Sequence, residues 1–236
     1  MSKCERFAGM RIDVITAFPN ILGLPLSQSI VGRAQKKGIV DIHTVDPRDF
    51  TSDNHRTIDE IPYGGGPGMV LKPEPIYSAV DFLLSEISGD PRIIITTPRG
   101  QQFDQKAADR FANEENLIFI CGHYRGMDER IFELATDEMS IGDFVVTGGE
   151  IPAMLMIDAI VRRIPGSLND FESAERDSFA QSNLLGEPLY TRPEIFREMR
   201  VPEILLSGHH QKIEEWRKEQ RLELTKTKRE ELLTIE

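Results

Sequence analysis

The sequence predicts an α/β fold in which helices flank a parallel β-sheet. Two continuous apolar runs, residues 92–97 and 117–121, are typical of strands that are buried on both faces of such a sheet. A helical stretch at residues 104–113 separates these two strands. Alternation of strand and helix along a chain is typical of layered α/β architecture.

The remaining elements are predicted from apolar spacing and from breaker residues. Residues 12–16 are largely apolar and stop at Phe18-Pro19, which indicates a first strand. Residues 73–87 form a predicted helix, with apolar side chains at Ile76, Val80, Leu83 and Leu84. Residues 150–164 form another, which begins near Pro152 and ends at Pro165-Gly166.

Composition predicts four segments along the chain. Residues 1–9 are expected to be an N-terminal extension, and residues 10–165 a ligand-binding α/β domain. Residues 166–186 are polar and indicate a linker or mobile loop. Residues 187–236 indicate a compact helical domain, in which Gly208 precedes a helix carrying Ile213 and Trp216.

Charge and cysteine content limit the possible functions. The 236 residues carry a formal net charge of −11, which argues against a protein that coats nucleic acid through a broad basic face. Residues 190–236 hold ten Lys/Arg and ten Asp/Glu, so the whole excess lies in residues 1–189. Two cysteines and no zinc-ligand spacing favour a reducing cytoplasm and no metal centre. No apolar stretch predicts a signal peptide or a membrane span.

Three glycine-containing loops follow predicted strands, at residues 97–100, 122–126 and 141–150. Ligands of open α/β sheets bind beyond the carboxyl ends of the strands, where glycine lets the backbone approach closely. Each loop alone is better explained by a tight turn, but three together favour one pocket. None has the lysine of a phosphate-binding P-loop or the dinucleotide-binding G-x-G-x-x-G pattern. A nucleoside ligand would therefore be held mainly by loop backbone.

A fourth glycine cluster spans residues 63–69, with the sequence Tyr-Gly-Gly-Gly-Pro-Gly-Met. Its lack of side chains suits close packing against a base or a phosphate backbone, and a flexible connector is the alternative. Upstream, His55 and Arg56 are candidate cationic contacts to phosphate, or ordinary surface residues.

Six motifs in order give this chain a family resemblance. They are residues 63–69, Cys121-Gly122-His123-Tyr124, residues 141–150, Asp177-Ser178-Phe179, Tyr190-Thr191-Arg192-Pro193 and residues 201–208. Together they resemble the signatures of bacterial tRNA (guanine-N1)-methyltransferases of the SPOUT superfamily. The resemblance runs from about Met10 to about Glu231.

The resemblance implies a fold and an activity that periodicity does not. The fold would be a SPOUT-type parallel sheet with a deep trefoil knot between residues 10 and 165, plus a small C-terminal helical tRNA-binding domain. The activity would be methyl transfer from S-adenosylmethionine to N1 of guanosine 37 of tRNA, 3′-adjacent to the anticodon. The product, 1-methylguanosine, would maintain the reading frame. A homodimer with shared active sites is implied, and a Mg²⁺ ion whose site is unknown.

The resemblance also implies roles for individual residues. Asp177 would be the general base and Arg162 its partner. The cofactor-binding residues would be Ile95, Thr96, Thr97, Pro98, Gly100, Gly122, Tyr124, Arg125, Gly126, Ile141, Gly142, Phe144, Val145, Val146, Gly148, Gly149 and Pro152. The RNA-binding residues would be His55, Arg56, Tyr63, Gly64, Gly65, Gly66, Ser173 and His209.

One residue departs from the family pattern. Relatives commonly carry glutamate, near the cofactor's charged methionine part, where this chain has Arg125. The arginine reverses the sign of the charge there, so its role is left open. Two other functions compete with the main prediction: a SPOUT enzyme that methylates a ribose 2′-hydroxyl, and a non-catalytic RNA-binding module.

Overall fold

The computed structural model describes residues 9–168, 174–180 and 182–233. The chain forms two compact units that divide between residues 169 and 170. This division falls within the predicted linker. Each unit is described by itself below.

The first unit is built on a parallel sheet. Its strands, numbered along the chain, are β1 (Met10–Ile15), β2 (Val40–Val45), β3 (Asp59–Glu60), β4 (Val70–Leu71), β5 (Arg92–Gln102), β6 (Asn116–Cys121) and β7 (Asp137–Ser140). Five of them form one sheet in the order β2-β1-β6-β5-β7, with every pairing parallel. The short β3 and β4 pair separately and antiparallel. The predicted parallel sheet flanked by helices is confirmed.

Helices cover both faces of this sheet. They are α1 (Pro19–Leu26), α2 (Ser29–Lys36), α3 (Pro73–Glu86), α4 (Gln105–Phe111) and α5 (Glu150–Val161), with 3-10 turns at Pro47–Phe50 and Glu129–Leu134. Helices α1, α2, α4 and α5 pack on one face, and α3 packs on the other. Successive strand residues serve opposite faces: Leu117 and Phe119 contact the first layer, whereas Ile118 and Ile120 contact the second.

The sequence patterns missed the elements that lack a long apolar run. Strand β2 lies at the edge of the sheet, and its polar residues are partly exposed, so it carries no continuous apolar signal. Helix α1 contains Pro25, which conceals its helical pattern. Strand β5 runs five residues beyond its predicted end at Thr97, with a register shift against β7 after Thr96.

The second unit is mostly helical. It contains a short hairpin, β8 (Ile195–Phe196) and β9 (Met199–Arg200), followed by α6 (Glu203–Leu206) and α7 (His210–Lys228). Thr225 of α7 is buried, and its hydroxyl accepts a hydrogen bond from the Leu185 backbone N–H at 2.9 Å. Within the described ranges, no helix is long and apolar enough to cross a membrane.

Two neighbouring leucines of α3 test the packing on its face of the sheet. Leu83 is 1% exposed and Leu84 is 44% exposed. We expect Leu83→Ala to lower the free energy of unfolding by about 2–5 kcal/mol, because it leaves a cavity in the core. Leu84→Ala should change it by less than about 1 kcal/mol. Urea unfolding followed by circular dichroism measures both, and equal losses would contradict this packing.

Candidate ligand-binding cleft

A cleft lies at the carboxyl ends of β5, β6 and β7. It encloses about 720 Å³ of empty space, open mouth included. Its lining residues come mainly from β5 beside its register shift and from the loops that follow β6 and β7: Thr96, Thr97, Pro98, Gly122, His123, Tyr124, Arg125, Gly126, Met127, Phe132, Met139, Ser140, Ile141, Gly142, Phe144, Val145, Val146, Thr147, Gly148, Gly149 and Pro152. The predicted loops at residues 122–126 and 141–150 therefore converge on one cavity together with Thr97 and Pro98, but residues 97–100 belong to β5 and do not form a loop.

The floor of the cleft depends on a close backbone approach at Gly149. Its N–H donates to the carbonyl oxygen of Gly122 at 2.7 Å. A Cβ on Gly149 would lie 2.2 Å from Oγ1 of Thr96 and 2.9 Å from Cα of Cys121. Any side chain at this position would therefore push the third loop away from the ends of β5 and β6.

A buried carboxylate stands directly behind this floor. Glu150 is 2% exposed, and its Oε1 accepts a 2.7 Å hydrogen bond from the Thr16 hydroxyl. Its Oε2 lies 3.6 Å from Nδ1 of His123, whose ring lines the cleft. Burial, followed by the nearby Glu150 charge, raises the pKa of the Cys121 thiol, so Cys121 stays protonated and is a poor nucleophile.

Arg99 holds one side wall in place. Its guanidinium lies 3.5 Å from the centre of the Phe132 ring and donates to Glu138 at 2.7 Å and to Glu129 at 2.8 Å. The hydrogen bond to Glu138, then that to Glu129, raises the pKa of Arg99. Because Phe132 lines the cleft, this network fixes part of its apolar wall.

Arg125 joins the cleft to the glycine cluster at residues 63–69, which we call the glycine loop. Its backbone N–H donates to the carbonyl oxygen of Met69 at 3.1 Å. Its side chain donates from Nη1 to the carbonyl oxygen of Pro67 at 3.2 Å. A Cβ on Gly66 would lie 2.9 Å from the same Nη1, so a larger residue there would make the end of the Arg125 side chain shift.

Most of the predicted cofactor-binding residues line this cleft, and two do not. Ile95 is fully buried in the core on the α3 side of the sheet. Gly100 packs against the backbone of Glu138 and Met139. The prediction omitted six lining residues: His123, Met127, Phe132, Met139, Ser140 and Thr147. Met139 and Ser140 end β7, whose short polar sequence gives no strand signal, and Phe132 belongs to a 3-10 turn.

The predicted RNA-binding residues lie in exposed segments where the structure describes them. Tyr63 is 102% exposed, and Gly64, Gly65 and Gly66 all have positive φ. The Arg56 guanidinium is ion-paired with Asp49. His55 lies in the same exposed segment, and His209 immediately precedes α7. Ser173 lies outside the described residues.

The two predicted catalytic residues belong to different units. Arg162 directly follows α5 and caps its carboxyl end, where its backbone N–H donates to the carbonyl oxygen of Asp158 at 3.2 Å. Its neighbour Arg163 donates from Nε to Asp109 at 2.5 Å. Asp177 belongs to the second unit, in an exposed turn where the Ser178 hydroxyl accepts from the Gly186 N–H at 2.8 Å. Within the described ranges, no group of three or more His, Cys, Asp or Glu side chains could hold a metal ion.

Comparison with known proteins identifies the relatives of this chain. A sequence model of the family described as tRNA (Guanine-1)-methyltransferase TrmD matches residues 10–235. A tRNA (guanine-N(1)-)-methyltransferase from Shouchella clausii is 52% identical over 224 residues, covering 95% of this chain and 91% of that protein. The protein of the same name from Bacillus subtilis (strain 168) is 50% identical over 225 residues, covering 95% of this chain and 92% of that protein. The protein of the same name from Persephonella marina is 49% identical, covering 95% of this chain and 88% of that protein.

Removing the Thr16 hydroxyl should destabilise the protein. Thr16→Val leaves the buried Glu150 carboxylate without this donor, and we expect a loss of about 1–3 kcal/mol in the free energy of unfolding. Thr16→Ser retains the donor and should recover most of that loss. Urea unfolding of the three proteins checks this. A Thr16→Val protein as stable as the wild type would show that the bond does not support the floor.

Proposed function

Because this chain belongs to the tRNA (guanine-1)-methyltransferase family, we propose that it methylates N1 of the guanosine 3′-adjacent to the anticodon of tRNA, position 37, with S-adenosylmethionine as donor. The family match over residues 10–235 carries this proposal. The product would be 1-methylguanosine, which maintains the reading frame. The chemistry would take place in the cytoplasm.

The cleft suits S-adenosylmethionine. Its floor is backbone and small side chains, so the flat adenosine part can approach closely, as at Gly149 and Gly122. Phe132 and Met139 supply apolar contact area. When bound, the cofactor supplies an electrophilic methyl group on its sulfonium. The loops would hold this group and the acceptor base in line, which is a contribution of proximity and orientation.

The protein must also remove a proton. Guanine N1 carries a hydrogen and is a weak nucleophile until that proton is taken. Asp177 is the proposed general base, on the strength of its Asp-Ser-Phe motif and its exposure in a turn. Arg162 would stabilise the negative charge that develops on the guanine, or orient Asp177.

The RNA would be held by shaped contacts. Tyr63 at the head of the glycine loop is fully exposed, so its ring is available to stack on a base that has left the anticodon loop. Gly64, Gly65 and Gly66 would let the RNA backbone approach. His55, Arg56, Ser173 and His209 would complete the contacts. Arg56 would have to exchange its ion pair with Asp49 for a phosphate.

A second copy of the chain is the proposed partner of helix α5. Apart from Glu150 and the exposed Asp158, this helix is apolar, on its solvent-facing side as well as on the side that packs on the sheet. One face packs on the sheet, whereas Leu155 and Ile151 are each 49% exposed. Ile21 and Leu24 of α1, which packs against α5, are also exposed. We propose a homodimer with shared active sites around this surface. The trefoil knot and a Mg²⁺ requirement remain proposals from the family resemblance.

Methyl transfer to two transcripts tests the proposed reaction. We expect the protein to convert a tRNA transcript with guanosine at position 37 into one containing 1-methylguanosine, identified by mass spectrometry of the digested RNA. The same transcript with adenosine at that position should not be modified. We expect Asp177→Asn to lower kcat by roughly 10²–10⁴-fold, since general bases typically contribute this much.

The neighbouring carboxylate supplies the control for that variant. Glu175→Gln removes a charge from the same turn and should keep wild-type turnover. If Asp177→Asn kept normal turnover, Asp177 would not be the base. A 2′-O-methylated product would identify a ribose methyltransferase instead. Binding of tRNA without any transfer would identify a non-catalytic RNA-binding module.

The proposed dimer surface is tested by placing a charge on it. Leu155→Asp should convert the dimer to a monomer in sedimentation equilibrium, because an unpaired carboxylate is costly to bury at an interface. Leu84→Asp places the same charge on α3, at a leucine of similar exposure on the opposite face of the sheet. It should leave the dimer intact. A Leu155→Asp protein that remained dimeric would exclude this surface.

A further inference from the structure

We propose that Arg125 is a specificity-determining residue that binds the carboxylate at the amino-acid end of the cofactor. This inference rests on the proposed function, since it concerns the same cleft and the same donor. It deepens that function by assigning a ligand group to a residue whose role the sequence left open.

The first argument is the charge of the cleft wall. Among the described residues that line the cleft, Arg125 is the one whose side chain carries a permanent charge. The buried Glu150 carboxylate stands behind the floor and is not part of the lining. An isolated cation in an otherwise uncharged wall favours an anionic ligand group. S-adenosylmethionine has one such group, its carboxylate.

The second argument is the position of the guanidinium. Thr96 and Met139, deep in the cleft, are buried and uncharged, whereas Arg125 is exposed at the end beside the glycine loop. A charged ligand group is costly to desolvate, so the amino-acid end of the cofactor belongs at this exposed end. The uncharged adenosine part belongs on the backbone floor.

The third argument is that Arg125 is fixed in place yet has hydrogen-bonding capacity to spare. One N–H of Nη1 donates to the carbonyl oxygen of Pro67, and within the described ranges no ion pair joins this arginine to a carboxylate. A guanidinium has five N–H donors in a planar fork, so enough remain for a carboxylate. Because Gly66 has no Cβ, the guanidinium can lie close to the glycine loop in this position.

Two ligands that differ only at the amino-acid end separate charge recognition from cleft shape. S-adenosylhomocysteine carries the carboxylate and the ammonium group, and 5′-methylthioadenosine carries neither. Isothermal titration calorimetry gives the Kd of each for the wild type and for Arg125→Gln. We expect Arg125→Gln to weaken S-adenosylhomocysteine roughly 5- to 30-fold, the effect of a partly solvated charged hydrogen bond. Binding of 5′-methylthioadenosine should stay within about 2-fold of the wild type.

Further variants serve as matched controls for the binding measurements on Arg125→Gln. Arg125→Glu should weaken S-adenosylhomocysteine more than Arg125→Gln does, because it repels the carboxylate. Gly66→Ala displaces the guanidinium and should reproduce part of the loss in affinity. Gly89→Ala introduces a similar backbone strain, because Gly89 also has a positive φ, but its Cβ would contact nothing. It should therefore leave the affinity unchanged. Arg130→Gln removes an exposed arginine that is ion-paired with Asp128 outside the lining, and should change neither Kd.

Several outcomes would overturn the assignment. Tighter binding of S-adenosylhomocysteine to Arg125→Gln would mean that the ammonium group faces residue 125. Equal weakening of both ligands would mean that Arg125 only shapes the cleft. Unchanged Kd values with a raised, salt-dependent KM for tRNA would mean that Arg125 binds an RNA phosphate. If the wild type bound neither ligand, the proposed cofactor itself would be wrong, and this inference would fall with it.

Discussion

The cleft depends on one close contact between backbones. Gly149 is near enough to Gly122 for a 2.7 Å hydrogen bond, and this distance leaves no room for a Cβ between Thr96 and Cys121. The ends of β5 and β6 and the start of α5 meet at this contact. Because the floor is backbone held by the sheet, it needs little rearrangement to receive a flat ligand. The side chains of the cleft, which vary in charge and size, lie around this floor.

The electrostatics of the chain are consistent with an RNA enzyme that works by shape. The net charge of −11 opposes non-specific attraction to RNA. Its cations are used locally: Arg99 supports Phe132, Arg56 pairs with Asp49, and Arg125 is fixed against the glycine loop. A protein with this net negative charge repels RNA overall. Binding therefore requires RNA to match a few local contacts, and this requirement favours specificity.

Much of the fold could be predicted because the central strands are buried on both faces. Strands β5 and β6 carry long apolar runs, and α3 and α5 carry helical spacing with clear stops. Strand β7 could not be predicted, since its sequence Asp-Glu-Met-Ser is short and polar and takes its structure from pairing with β5. The glycine-containing loops after β6 and β7 indicated where the cleft lies. Nothing in the sequence around Phe132 indicates that this residue lies beside it. The contact of Arg125 with Pro67 spans 58 residues and has no local pattern.

The position of Glu150 has a consequence for metabolite selection. The first turn of a helix normally attracts phosphate, because its free N–H groups and dipole are positive. Helix α5 begins at the cleft floor with the buried carboxylate of Glu150. The negative charge that a phosphate would bring to this helix end is therefore already supplied by the protein. An anionic ligand group on this floor would meet that charge, so the floor favours an uncharged group such as the adenosine of the proposed cofactor. The floor therefore disfavours phosphate at a position where α/β folds often bind it, and this exclusion needs no additional recognition element.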